Sequence, residues 1–303
     1  MQFRIVESLM KTAAPITQMG LGTGRLASFG ISLTRRQSTL LIHTSIDHGI
    51  RVIDTADTYG SGDSERAIGA ALQERSRGDC FLISKGGLPY VALPAVLSPL
   101  NQIGKKVLQK VSPKRDFSKP YLLRCIERSL KRLRTNYLDA FMLHAPVAGE
   151  PSSQSWEALE TIRSMGMSRF TGVSTGDFEV VRQGVASGQV NLVETPVSFA
   201  ACGAEEIISF CASRQIPVVA NEVLRPRFLL HDRDAEWISL RERYNVSHVG
   251  TAQLLIGYAA AQQGVSSVLI GTTSPDHLVE NLRSLQYCDT MPAFFTEMKE
   301  VFT

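Results

Sequence analysis

The stretch SKPYLLRCIERSLKRLRTNYLDAFMLHAP, residues 118–146, reads as one helix followed by one strand. Tyr121, Leu122, Cys125, Ile126, Ser129, Leu130 and Leu133 recur at helical spacing, while Arg124, Glu127, Arg128, Lys131 and Arg132 fill the opposite face. Ser118 stands before the stripe as a candidate cap, and Pro120 falls in the first turn, where a missing N–H costs nothing. Tyr137 to His144 then form a short run, mostly apolar and aromatic, that is predicted as a strand and ends on a titratable residue.

The same alternation extends in both directions. Strands are predicted at Thr17 to Leu21, Arg51 to Asp54, Phe81 to Lys85, Phe170 to Ser174, Leu192 to Thr195, Pro217 to Ala220 and Ser267 to Ile270. Helical stripes run over Thr34 to His48, Ser64 to Glu74, Ser153 to Met165, Phe178 to Ser187, Glu205 to Arg214, Thr251 to Gln263 and Ser274 to Ser284. About eight strand–helix units in one chain are the signature of an α/β (β/α)₈ TIM barrel, here expected as a single domain over residues 1–303. Two insertions interrupt the period, Gly86 to Phe117 after the third strand and Glu222 to Val246 after the seventh. Both leave C-terminal strand ends, the face on which a barrel builds its active site.

Composition removes several function classes. The chain has 32 Lys+Arg against 29 Asp+Glu, a formal net charge of +3, too balanced for nucleic acid or an anionic membrane surface to be its main partner. No run reaches the roughly 18 apolar residues a membrane span requires. The N-terminal MQFRIVESLMK carries Arg4, Glu7 and Lys11 where a secretory segment needs its apolar stretch, so a cytoplasmic protein is expected. Cys80, Cys125, Cys202, Cys211 and Cys288 are far apart and lack metal-ligand spacing, so they are expected as reduced, mostly buried thiols with no metal.

Chemistry concentrates in GIRVIDTADTYGSGDSERAIG, Gly49 to Gly69. It puts Asp54 at a strand tip and Tyr59 on the loop beyond, while Lys85 and His144 end the next two strands. Each alone has an ordinary structural role; at three successive strand ends, coincidence is improbable. A carbonyl gains negative charge on oxygen as hydride arrives, so a proton donor and hydrogen-bonding or cationic groups must already point there. A tyrosine is such a donor if a nearby ammonium lowers its pKa. Lys85 is expected to supply that charge and Asp54 to hold Lys85 by an ion pair.

These residues resemble the aldo-keto reductase family of nicotinamide-dependent barrel oxidoreductases. The resemblance runs through MGLGTGRL (Met19 to Leu26), IDTADTYGSGDSERAIG, LISKGG (Leu82 to Gly87), SLKRLRTNYLDAFMLHAP (Ser129 to Pro146), FTGVST (Phe170 to Thr175) and VLIGTTSPDHLVENL (Val268 to Leu282). It implies hydride transfer between NADP(H) or NAD(H) and a carbonyl or alcohol group of a small molecule. Tyr59 would be the general acid/base, tuned by Lys85 and Asp54, with His144 orienting the carbonyl. It further implies cofactor contacts at Gly22, Thr23, Asp54, Ser174 and Thr175, and an adenosine end surrounded by Thr272, Thr273, Glu280 and Asn281. Ser274 and Pro275 open the last of the stripes, so a helix N-terminus that favours phosphate faces the preceding loop.

Several positions depart from the family pattern. Glu194 stands where the sixth strand usually ends in Gln, and Asn221, Glu222, Val223 and Leu224 replace a turn carrying the aromatic that stacks on nicotinamide. Gly271 and His277 occupy the places of the Lys and Arg that bind a 2′-phosphate, with Arg225 and Arg227 as candidate substitutes. A negative Glu194 beside the ring would favour the oxidised cofactor and alcohol or lactol oxidation. The substrate pocket is expected to be walled by Leu88, Pro89, Tyr90, Val91, Phe294 and Phe295, in a monomer or weak homo-oligomer. Two other readings stay open: a cofactor-sensing or scaffold barrel with little turnover, and a non-redox lyase or isomerase using the same Tyr and Lys.

Overall fold

The structure is a computed structural model that describes residues 17–28, 31–89, 114–201 and 203–302. Eight parallel strands close on themselves in chain order: β1 (Met19–Gly22), β2 (Val52–Asp54), β3 (Phe81–Gly86), β4 (Leu138–His144), β5 (Ser168–Ser174), β6 (Leu192–Pro196), β7 (Val218–Asn221) and β8 (Val265–Ile270). The (β/α)₈ barrel expected from the alternation is the fold, with strand limits within two residues of those predicted for every strand. A two-stranded hairpin, Ala27–Ser28 with Ile31–Ser32, follows β1.

The outer ring is α1 (Arg35–Asp47), α2 (Asp63–Ala71), α3 (Lys119–Leu133), α4 (Ser153–Ser164), α5 (Phe178–Ala186) and α6 (Ala204–Ala212). It continues as α7 (Arg227–Asp232), α8 (Asp234–Arg243), α9 (Thr251–Ala261), α10 (Pro275–Leu282) and α11 (Pro292–Phe302). Ser118 occupies the N-cap position of α3, but its side chain makes no capping bond. Instead Asp116 Oδ1 accepts the Ser118 amide at 2.9 Å.

Two regions differ from the sequence reading. The insertion after β7 folds into α7 and α8, and the C-terminal tail is helical. These segments share an aromatic core in which Trp237 and Leu240 of α8 pack with Phe294, Phe295 and Phe302 of α11. Phe294 and Phe295 are 1% and 4% exposed, so burial against α8 and α9 takes them away from the pocket they were expected to wall. Tyr90, Val91 and Cys202 lie outside the described residues, whereas Leu88 and Pro89 are half-buried beside α3, where Tyr121 Oη donates to the Leu88 carbonyl at 3.2 Å. No helix among the described residues is long and apolar enough to cross a membrane.

Inside the barrel, Val52, Phe81, Ile83, Ala140, Met142, Leu192, Val219 and Leu269 form an apolar plug. Strand residues alternate faces with a period of two, so the residue two positions beyond each plug member enters the barrel one layer higher. From Val52, Ile83, Met142, Leu192 and Val219 that step lands on Asp54, Lys85, His144, Glu194 and Asn221. The site is therefore the top layer of the core, made polar.

Candidate active site

Above the plug opens a cavity of about 780 Å³. Its wall includes Asp54, Tyr59, His144, Ser174, Thr175, Glu194 and Asn221, with Gly22 and Gly271 on adjacent strand ends. Tyr59 reaches it because the chain turns sharply after β2. Gly60, Ser61 and Gly62 all take positive φ, at 58°, 56° and 90°, before α2 begins. Gly62 has a second constraint, since a Cβ there would come 2.7 Å from Arg132 Cδ.

Lys85 lies beneath the cavity, fully buried. Its ammonium donates to Asp54 Oδ1 and to the Thr55 carbonyl at 3.2 Å, and stands 3.2 Å from Glu194 Oε2. Nζ is also 5.5 Å from the centre of the Tyr59 ring, close enough for its charge to act on the phenol. Glu194 is fastened from two more sides, its Oε1 accepting from Ser174 Oγ at 3.0 Å and from Asn221 Nδ2 at 2.6 Å. The Tyr59 ring meets the His144 ring edge-on, centroids 5.9 Å apart.

Charge in this layer is set by burial and by the number of carboxylates. Burial acts against the Lys85 ammonium, but the Asp54 and Glu194 carboxylates outweigh it and hold the group above the usual lysine range. Asp54 is pushed well above the carboxylate range by burial and by Glu194, against the pull of Lys85. For Tyr59, the Lys85 charge is the largest single influence and lowers the phenol, as expected. Burial together with Asp54 and Glu194 exceeds it, and the phenol is pushed up to about 12. The expected acidification is thus cancelled, by burial first and then by the acids beside the ammonium. His144 is lowered to about 3 by burial, then by the Lys85 and Arg115 charges, so its imidazole is neutral.

The other predicted contacts separate into three groups. Leu224, Arg225 and Arg227 line an adjoining cleft of about 230 Å³ together with Gly271 and Arg25. There Arg225 is paired with Glu222 at 2.6 Å, and Arg227 lies over the Phe228 ring. Thr23 turns inward, its hydroxyl donating to the Asp54 carbonyl at 2.7 Å and accepting from Ser64 Oγ, so it secures the β1 loop to β2 and lines neither cavity. Thr272, Thr273, His277, Glu280 and Asn281 lie on the β8–α10 connection and on α10, also outside both cavities. In that turn Thr272 Oγ1 accepts the Ser274 amide, and Ser274 Oγ accepts the His277 amide at 3.4 Å.

The charged wall residues that the sequence did not single out are Arg25, Arg115 and Asp177. Arg115 closes the long insertion after β3 and is held by Glu150 at 3.0 Å. Asp177 stands three residues beyond Ser174 and caps α5. Ala145 and Glu222, each directly after a strand, have φ of 50° and 53°, a strained conformation that recurs at functional sites.

The arrangement offers a proton donor backed by a buried ammonium, a neutral imidazole, and a cavity wide enough for a small substrate beside a planar ring. Known proteins place it. The aldo-keto reductase AKR11C1 from Bacillus halodurans superposes with a TM-score of 0.77 at 22% identity, over 96% of this chain and 94% of that one. An aldo/keto reductase from Klebsiella pneumoniae, solved in complex with NADP and acetate, has a TM-score of 0.74 at 25% identity over 99% and 94%. Among sequence relatives, the NADH-specific methylglyoxal reductase of Escherichia coli is 23% identical over 90% of this chain and 91% of its own length. The methylglyoxal reductase YeaE of the same organism is 25% identical over 83% and 80%. The sequence model of the aldo/keto reductase family matches residues 18–301, and with the closed barrel beneath this cavity it establishes that the chain belongs to that family.

Proposed function

We propose that the protein is an NAD(P)(H)-dependent oxidoreductase that moves a hydride between the cofactor and the carbonyl or alcohol carbon of a small molecule, with Tyr59 as general acid and base. The observation that carries this reading is the convergence of Tyr59, Lys85, Asp54 and His144 on one cavity from three consecutive strands and one loop. Family membership supports the cofactor class, as does the relative that carries NADP. The wall fits a nicotinamide, since Asn221 Oδ1 and His144 Nδ1 are buried polar atoms without hydrogen-bond partners, able to meet a carboxamide or a carbonyl.

When bound, the cofactor supplies the hydride. Tyr59 holds its proton until the carbonyl oxygen becomes basic and then delivers it. Lys85 stabilises the phenolate that this leaves. His144, being neutral, can donate one ring N–H to the carbonyl without adding charge. Two relatives named as methylglyoxal reductases support small aldehydes and dicarbonyls as substrates.

Tyr59→Phe tests the proposal. Turnover of methylglyoxal and a panel of aldehydes and sugars, followed by nicotinamide absorbance, is expected to fall roughly 10²–10⁴-fold. Cofactor affinity, read by fluorescence titration with NADH and NADPH in parallel, is expected to stay within about twofold. Undiminished turnover in the variant would require another proton donor. Tight cofactor binding by the native protein with no turnover on any substrate would replace the enzyme with a sensor.

A further inference from the structure

We propose that Asp54 and Glu194 hold one proton between them across Lys85, and that this proton replaces the one Tyr59 delivers to substrate. The inference rests on the reading that the cavity takes a nicotinamide, and it gives Glu194 a role as a positioning and proton-holding residue.

The geometry carries it. Two carboxyl groups, 4% and 2% exposed, flank one ammonium that is 0% exposed. A single ammonium cannot neutralise two buried carboxylates, and an unpaired buried charge takes up a proton instead. The two carboxyls meet at the same Lys85 Nζ, and burial first and then Glu194 push the Asp54 carboxyl toward its protonated form. Glu194 Oε2 is buried and accepts no well-aligned hydrogen bond, leaving a place for that proton. Among the described residues Lys85 is the one cation that acts on Asp54, and Arg25 lines the outer wall. Tyr59 and His144 are neutral, Ser174 and Asn221 donate uncharged hydrogen bonds to Glu194 Oε1, and Arg115 on the rim is engaged with Glu150.

The proton balance closes. Tyr59 Oη loses its proton to the substrate oxygen. Lys85 Nζ passes a proton to Oη and receives the carboxyl proton, so the site ends as a phenol, an ammonium and two carboxylates. One negative charge therefore appears in the wall as the cofactor ring gains one positive charge, and the buried layer is neutral in both redox states. Gln at position 194 would leave Asp54 alone with Lys85, ionised and with no proton to give.

The test uses infrared difference spectroscopy and proton release on the intact chain. The cofactor-free native protein near neutral pH is expected to show a protonated-carboxyl band that Glu194→Gln and Asp54→Asn both lose; the Asp57 carboxyl contributes equally to all three. Adding NAD⁺ or NADP⁺ to native protein in weak buffer should release about one proton, and while the free protein holds that proton affinity for the oxidised form should tighten about tenfold for each unit that the pH rises. In Glu194→Gln both effects are lost, and binding of the reduced form releases no proton from either protein. A native spectrum identical in this region to both variants overturns the proposal, and so does equal proton release from native protein and Glu194→Gln. If neither oxidised cofactor binds, the nicotinamide reading fails, while the band in the cofactor-free protein still decides for or against the shared proton.

Discussion

Lys85 Nζ stands 3.2 Å from Glu194 Oε2 while donating to Asp54, so one ammonium ties together carboxyls from β6 and β2, on opposite sides of the barrel. Replacing it with an apolar chain leaves both acids without their counter-charge. Lys85→Met is expected to destabilise the fold by about 3–5 kcal/mol in urea titrations at neutral pH. The loss should shrink on acidification. A folded-state carboxyl pKa raised above the unfolded value favours folding at low pH, and that advantage is lost as pH rises through the folded value. A variant as stable as the native protein at alkaline pH would contradict this account.

Asp57 lies just below the site, its amide donating to the Lys85 carbonyl at 3.2 Å. Its side chain is 0% exposed, and burial followed by the Glu65 charge pushes it up to about 8. The native state therefore binds a proton that the unfolded chain releases near pH 4, and stability should decline as pH rises from about 4 to about 8. Asp57→Asn, which keeps the neutral shape, is expected to flatten that decline. Thermal midpoints measured across the same range, falling in parallel for both proteins, would refute it.

The His144 imidazole, lowered to about 3, should remain neutral throughout the physiological range. The unfolded chain takes up a proton below about 6.5 that the folded site does not, so this group's contribution to stability is present above that value and is lost on acidification toward 3. Nitrogen chemical shifts of His144 should not titrate between about pH 5 and 8. An inflection near 6.5 would show an imidazole in contact with solvent.

Gly20 faces the plug at the foot of the barrel. A Cβ there would come 2.7 Å from Leu269 Cδ2 and 3.0 Å from Val52 Cβ. Gly20→Ala is expected to cost about 1–3 kcal/mol by overpacking. Leu269→Ala should recover part of that loss in the double variant, a non-additivity that chemical denaturation can measure. Strict additivity of the two costs would place the strain elsewhere.

The buried pair Glu65 and Arg132 joins α2 to α3 at 2.5 Å, and Glu65 also accepts from Ser84 Oγ at 2.7 Å. Arg132→Met should destabilise by roughly 3–5 kcal/mol by stranding Glu65. Adding Glu65→Gln should restore part of the loss; no recovery would mean that the contact of Arg132 with Gly62, rather than its charge, is what matters.

Much of the site was legible because a strand's two-residue period and a helix's 3.6-residue period are properties of the local backbone. They position Asp54, Lys85 and His144 at the ends of β2, β3 and β4 and open α2 and α5 where the stripes begin. Phe294 and Phe295 were misplaced for the opposite reason. Nothing near them in sequence reveals that α8 offers Trp237 and Leu240 as a closer apolar partner than the cavity.

What the chain alone carries, then, is the order of its elements and the residue types at each strand tip, since both follow from hydrogen-bonding geometry over a few neighbouring residues. The state of charge at those tips is a property of the assembled barrel. Glu194 reads as a single departure until closure of the strands sets it against Lys85 and Asp54. Only there, with water excluded, do two acids compete for one ammonium and return Tyr59 to a high pKa, because electrostatic energy depends on distance and burial rather than on position along the chain.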